Sequence, residues 1–166
     1  MQKALFVIDV QGFFENKNTK KIANKIKDYI KKNKNQYSLI IFTIFKNNPK
    51  SPLWKIFKWT DCKEGKDIKI MKELIGLVDN YKIVSRNTYS LFKVPRVKIE
   101  LKEKKIKQVD ICGFETDACV LATTYDLFDS GYKTVVLKNL CFSDNKEKLH
   151  KSASAIIERN CGFLKK

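Results

Sequence analysis

Unbroken apolar runs alternate with lysine-rich amphipathic stretches along this chain. Residues 3–8 (Lys-Ala-Leu-Phe-Val-Ile) form the first run, the pattern of a strand buried on both faces of a parallel sheet. Ile22, Ala23, Ile26, Tyr29 and Ile30 then recur at helical spacing among lysines, which predicts a one-sided amphipathic helix. Residues 37–45 read as a second buried strand, 81–85 as a short third and 107–113 as a fourth. The pattern from about 117 to 130 predicts a helix that stops at Gly131, a residue suited to a left-handed position past the last turn. Residues 134–137 predict a fifth strand. Leu149, Ala153, Ile156 and Ile157 mark a last helix ending near Gly162, and Phe163-Leu164 would add a short sixth strand. Strands alternating with helices predict a single α/β domain over residues 1–166. Its architecture would be three-layered and doubly wound, Rossmann-like, around a mostly parallel six-stranded sheet.

The irregular stretch is 46–65, with Pro49, Pro52, Trp54, Phe57 and Trp59. So aromatic a loop reads equally as a cover over a pocket or as a satellite hydrophobic cluster.

The organising stretch is Gly113-Phe-Glu-Thr-Asp-Ala-Cys-Val120, where a strand, a sharp turn and a helix start meet. Thr116 or Asp117 would cap the helix. Cys119 would then lie in the first turn, where the helix dipole and unpaired N–H groups favour the thiolate and could hold an oxyanion. The structural alternative is a buried packing cysteine. In open α/β sheets, ligands bind beyond the carboxyl ends of the strands. Asp9, Arg86 and Cys119 follow strands one, three and four, so a carboxylate, a cation and a thiol would share one edge. Taken singly, Asp9 also reads as a turn residue and Arg86 as a solvated strand end.

Composition narrows the function classes. The formal net charge is +16, yet only three of the 34 basic residues are arginine. Lysine is spread along the whole chain, which argues against specific nucleic-acid binding. Five irregularly spaced cysteines without a CxxC pair argue against a disulfide framework or a zinc knuckle. No run reaches membrane-spanning length and the N-terminus lacks a signal-peptide core, so a cytoplasmic protein without membrane contact is expected.

Three segments resemble the isochorismatase-like cysteine hydrolases, which include nicotinamidases, N-carbamoylsarcosine amidases and isochorismatases. They are Ala4-Leu-Phe-Val-Ile-Asp-Val-Gln-Gly-Phe-Phe14, Ser85-Arg-Asn-Thr-Tyr-Ser-Leu-Phe92 and Gly113 to Val120 with the following Thr123-Thr-Tyr-Asp-Leu-Phe-Asp-Ser-Gly-Tyr132. The resemblance implies a six-stranded doubly wound sheet and an Asp-Lys-Cys triad, with Asp9 as general base and Cys119 as nucleophile. Backbone N–H groups of Cys119 and Ala118 would hold the oxyanion, beside a cis peptide at Glu115-Thr116. Phe14, Phe45, Trp54 and Tyr89 are the expected substrate-pocket residues.

The chain departs from the family pattern in having Arg86 where the lysine stands. Arg keeps the charge but cannot give up a proton at neutral pH. Lys82, four residues back along a strand, is about 13 Å away. The metal-binding Asp and two His of nicotinamidases have no counterpart after Phe45. The single histidine, His150, is expected on a helix surface or in packing, and Cys62, Cys112, Cys141 and Cys161 are expected to pack. The implied activity is metal-independent and cofactor-free hydrolysis of a small amide, ureide or isochorismate-like substrate by a homodimer or homotetramer. The alternatives are a non-catalytic or altered-activity family member that binds a small molecule or partner, suggested by Arg86, and a nucleic-acid binder, suggested only by charge.

Overall fold

The apolar runs become the middle of one parallel sheet. The computed structural model describes residues 1–144, 147–162, 164 and 165. Its strands are β1 (Lys3–Ile8), β2 (Leu39–Phe45), β3 (Lys82–Arg86), β4 (Gln108–Phe114), β5 (Lys133–Phe142) and β6 (Leu164–Lys165), in the order β3-β2-β1-β4-β5-β6. All adjacent pairs are parallel. β1 is central, and Ala4 to Ile8 are wholly buried, as a strand covered on both faces must be. β3 lies at the edge, and its Ile83 is exposed. Phe163 of the expected sixth strand lies outside the described residues; Leu164 is in β6.

The helices are α1 (Lys17–Asn33), α2 (Pro52–Phe57), α3 (Ile75–Val78), α4 (Pro95–Glu103), α5 (Leu121–Asp129) and α6 (Glu147–Cys161). Asn16 caps α1 through the N–H groups of Asn18 and Thr19, while the Thr19 hydroxyl accepts the Asn16 N–H, a capping box. Ala23, Ile26 and Ile30 form its buried stripe.

Several expectations need correction. β3 runs one residue further than expected and contains Arg86, paired beside Phe45. β5 continues past the expected end at 137 to Phe142, with a register shift opposite Ile111 and Gly113 around the polar Lys138 and Asn139. The helix after β4 begins at Leu121, not near 117, because a π-helical turn over Thr116–Val120 comes first. α4 was not anticipated: only Val97 and Leu101, one turn apart, anchor it among charged residues. Among the described residues, no helix is long and apolar enough to cross a membrane.

The chain runs from β1 outward to β2 and β3, then returns to β4 on the other side of β1. The strand order therefore reverses between β1 and β4, and such a reversal opens a crevice beyond the strand ends. Ile8 pairs with Gly113 there. Gly113 has φ +114°, and a Cβ on it would stand 2.1 Å from the Ile8 carbonyl oxygen, so only glycine allows this approach.

Candidate active site

Asp9 follows β1 directly, with φ 49°, a left-handed conformation uncommon outside glycine that aspartate tolerates better than most residues. Thr43 of β2 holds it twice. The Thr43 hydroxyl donates to Asp9 Oδ1 at 2.6 Å, and its oxygen accepts the Asp9 N–H at 3.0 Å. The other carboxylate oxygen is ion-paired with Arg86 Nη2, and both side chains are essentially without solvent contact. Arg86 Nη1 donates to the Thr88 carbonyl, and the guanidinium carbon stands 5.7 Å from the Phe45 ring centre. Burial disfavours the guanidinium charge, but Asp9 and Cys119 outweigh it and raise the Arg86 pKa. Buried charges need such pairing to be tolerable.

Cys119 completes the cluster. It is buried in the π turn, near enough to Arg86 and Asp9 for both charges to act on its thiol. The shared direction of the parallel strands thus brings together the three residues expected at one edge. The expected acidic thiol is not found. Burial pushes the Cys119 pKa up to about 12; Arg86 pulls it back and Asp9 pushes it further up. Desolvation outweighs the helix-end effect, since an α-helix does not start at this cysteine.

The turn corrects two further expectations. The cis peptide is Phe114-Glu115, one bond before the expected Glu115-Thr116. The Glu115 carbonyl is turned into the helical turn, where it accepts the N–H groups of Ala118 at 3.2 Å and Val120 at 3.0 Å. The chain reverses at the preceding bond instead. Ala118 N–H is therefore engaged within the turn rather than offered to an oxyanion. Thr116 is buried, with its hydroxyl 2.8 Å from His150 Nδ1. His150 does pack, against Phe142, but it also touches the turn that carries Cys119.

A cavity of about 200 Å³ opens over Cys119. Phe14, Phe45 and Tyr89 line it as expected, together with Glu115 and Ala118. Trp54 does not. Leu53 faces the cavity, and the next residue on α2 points about 100° away; Trp54 lies beneath Lys63 instead. Phe13 and Trp59 complete the wall, their ring centres 5.4 Å apart. The 46–65 stretch is thus a cover, and the buried Asn47 straps it by donating to the carbonyls of Trp59 and Asp61. Gln11 ties the same region to β1: its amide bonds the Phe45 N–H and carbonyl, the Asp67 carbonyl and Cys62 Sγ. The four remaining cysteines are buried and unbridged.

A family model described as the isochorismatase domain matches residues 3–164. The chain belongs to the isochorismatase family. Isochorismatase domain-containing protein 2 of Xenopus laevis is 33% identical over 66 residues, 39% of this chain and 32% of that protein. The matched stretch thus spans only about a third of that relative. Nicotinamidase 3 of Arabidopsis thaliana is 28% identical over 156 residues, 90% of this chain and 77% of that protein. The crystal structure of nicotinamidase PncA from Bacillus subtilis superposes with a TM-score of 0.88 at 21% identity, covering all of both chains. That likeness establishes the six-stranded α/β fold of this isochorismatase-family protein.

Among the described residues, no group of three or more His, Cys, Asp or Glu side chains is gathered to hold an ion. The single histidine is engaged with Thr116, and Asp9 faces a fixed cation.

Sequence reasoning missed Thr43, Phe13, Leu53, Trp59 and the His150–Thr116 contact. Thr43 carried a usable signal, as the one hydroxyl inside the apolar run 39–45.

Proposed function

We propose that this protein is a metal-independent cysteine hydrolase of small amides, with Cys119 as nucleophile, Asp9 as general base and Arg86 as a fixed cation. The meeting of these three side chains, with Cys119 on the wall of an apolar cavity, carries the reading. A thiol with a pKa of about 12 is almost wholly protonated at neutral pH. Its proton therefore moves to Asp9 as sulfur attacks the carbonyl carbon. The oxyanion forms beside the Cys119 N–H. The C–N bond then breaks, and the proton on Asp9 goes to the leaving amine. Water, deprotonated by Asp9, attacks the thioester, releasing the carboxylic acid and returning a proton to sulfur. Arg86 keeps Asp9 in place through both half-reactions without itself exchanging a proton.

The mostly aromatic wall favours a flat, uncharged amide over a dianionic, isochorismate-like substrate, whose charges would be desolvated there without partners. Self-association into a dimer or tetramer belongs to the same reading, and light scattering measures it.

The test is ammonia release from a panel of neutral aromatic, neutral aliphatic and carboxylate-bearing primary amides. Turnover is expected for neutral amides and should fall by about 10³-fold or more in Cys119→Ala. Turnover that survives Cys119→Ala removes the nucleophile from the mechanism. Ligand binding without turnover that becomes turnover in Arg86→Lys identifies a binding protein instead.

A further inference from the structure

The turn that carries Cys119 is tied from outside by the segment around the start of α6. The Glu115 carboxylate accepts the Asp144 N–H with both oxygens, at 2.9 and 2.8 Å. One residue on, Thr116 is fully buried and its hydroxyl meets His150 Nδ1 at 2.8 Å. A buried hydroxyl without a partner is costly, so this contact matters to the turn. The turn itself is π-helical, with two amides sharing the Glu115 carbonyl, and lacks the regular ladder that would hold an α-helix in register.

We propose that His150 is a positioning residue for the nucleophile: by holding the Thr116 hydroxyl, it fixes the turn Thr116–Val120 and with it the placement of Cys119 against Asp9 and Arg86. His150 does not line the cavity, and its hydrogen bond to the turn is made to Thr116. Its ring lies against Phe142, with centres 6.1 Å apart, which sets the direction of Nδ1. Burial and Lys138 on β5 lower its pKa, as does Lys151 on α6, while Glu147 on α6 and Asp117 in the turn oppose them. The ring is therefore neutral at neutral pH, and Nδ1 shares one hydrogen bond with the Thr116 hydroxyl.

The part of this inference that concerns turnover rests on the proposed hydrolase reading; the part that concerns thiol placement does not. Both are read in His150→Ala, Thr116→Val, the double variant and His150→Asn, whose side-chain amide reaches the place of Nδ1. Iodoacetamide modification of Cys119 is followed by peptide mass spectrometry at a temperature where circular dichroism shows each protein folded. Thr116→Val serves as the second probe should His150→Ala not fold. Each single change is expected to shift the modification rate, and to lower kcat, by about tenfold. KM should stay within about twofold, the double variant should add little to either single change, and His150→Asn should recover most of the loss. Unchanged modification and kcat in His150→Ala or Thr116→Val overturn the proposal. So does a His150→Asn protein no better than His150→Ala. A shifted modification rate with no amide turned over by the wild type supports the positioning role and rejects the hydrolase reading alone.

Discussion

Two buried aspartates on neighbouring strands have opposite surroundings. Asp9, after β1, is held by a cation and a hydroxyl and faces a thiol under a cavity. Asp110, in the first half of β4, is held by neutral donors, Tyr37 Oη at 2.7 Å and Gln108 Nε2 at 2.6 Å, with Tyr29 Oη 2.6 Å from Tyr37. Burial, then Tyr29 and Asp110, raise the Tyr37 pKa, so that cluster offers no nucleophile. The cavity beside Tyr37, about 510 Å³, is larger than the one over Cys119. Neither a buried carboxylate nor a large cavity marks a reactive site. What distinguishes Asp9 is its place at the strand-order reversal, where a charge partner and a thiol converge on it.

Replacing each aspartate separates the two most sharply. Asp9→Asn should lower kcat by about 10³-fold or more and leave Arg86 buried without a counter-charge, at a cost of about 3–5 kcal/mol in urea unfolding. Asp110→Asn should keep full amide turnover and cost about 1–3 kcal/mol. Equal losses of activity in both would break the comparison. The hydroxyl partners provide a finer version. Thr43→Val should reduce kcat about tenfold, because Asp9 loses two hydrogen bonds, whereas Tyr37→Phe should cost about 1 kcal/mol with kcat unchanged. The smallest effect is in pH dependence. The folded protein keeps the Cys119 proton up to about pH 12, while the unfolded chain loses it near 9. The unfolded state then binds fewer protons, so stability falls as pH rises through this window. Urea unfolding from about pH 8 to about pH 10 should show that fall, with a shallower slope in Cys119→Ala.

Much of this was legible in the residues. Continuous apolar runs identified β1, β2 and β4, and Gly131 and Gly162 marked helix ends, both at positive φ. Asp9, Arg86 and Cys119 were placed at one edge by the rule that parallel strands point the same way. Phe14, Phe45 and Tyr89 were assigned to the pocket, while Trp54 was chosen where Leu53 and Trp59 belong. Burial along a strand or helix is a local, periodic property, so the sequence by itself determined the α/β class, the central strands and the meeting of Asp9, Arg86 and Cys119 at one edge. The tertiary structure alone decided their partners. Thr43 reaches Asp9 from 34 residues away, and His150 reaches Thr116 from another 34. It also decided the direction of the thiol's pKa. Strand register, helix phase and desolvation depend on which distant segments pack together, and no short window of sequence contains that.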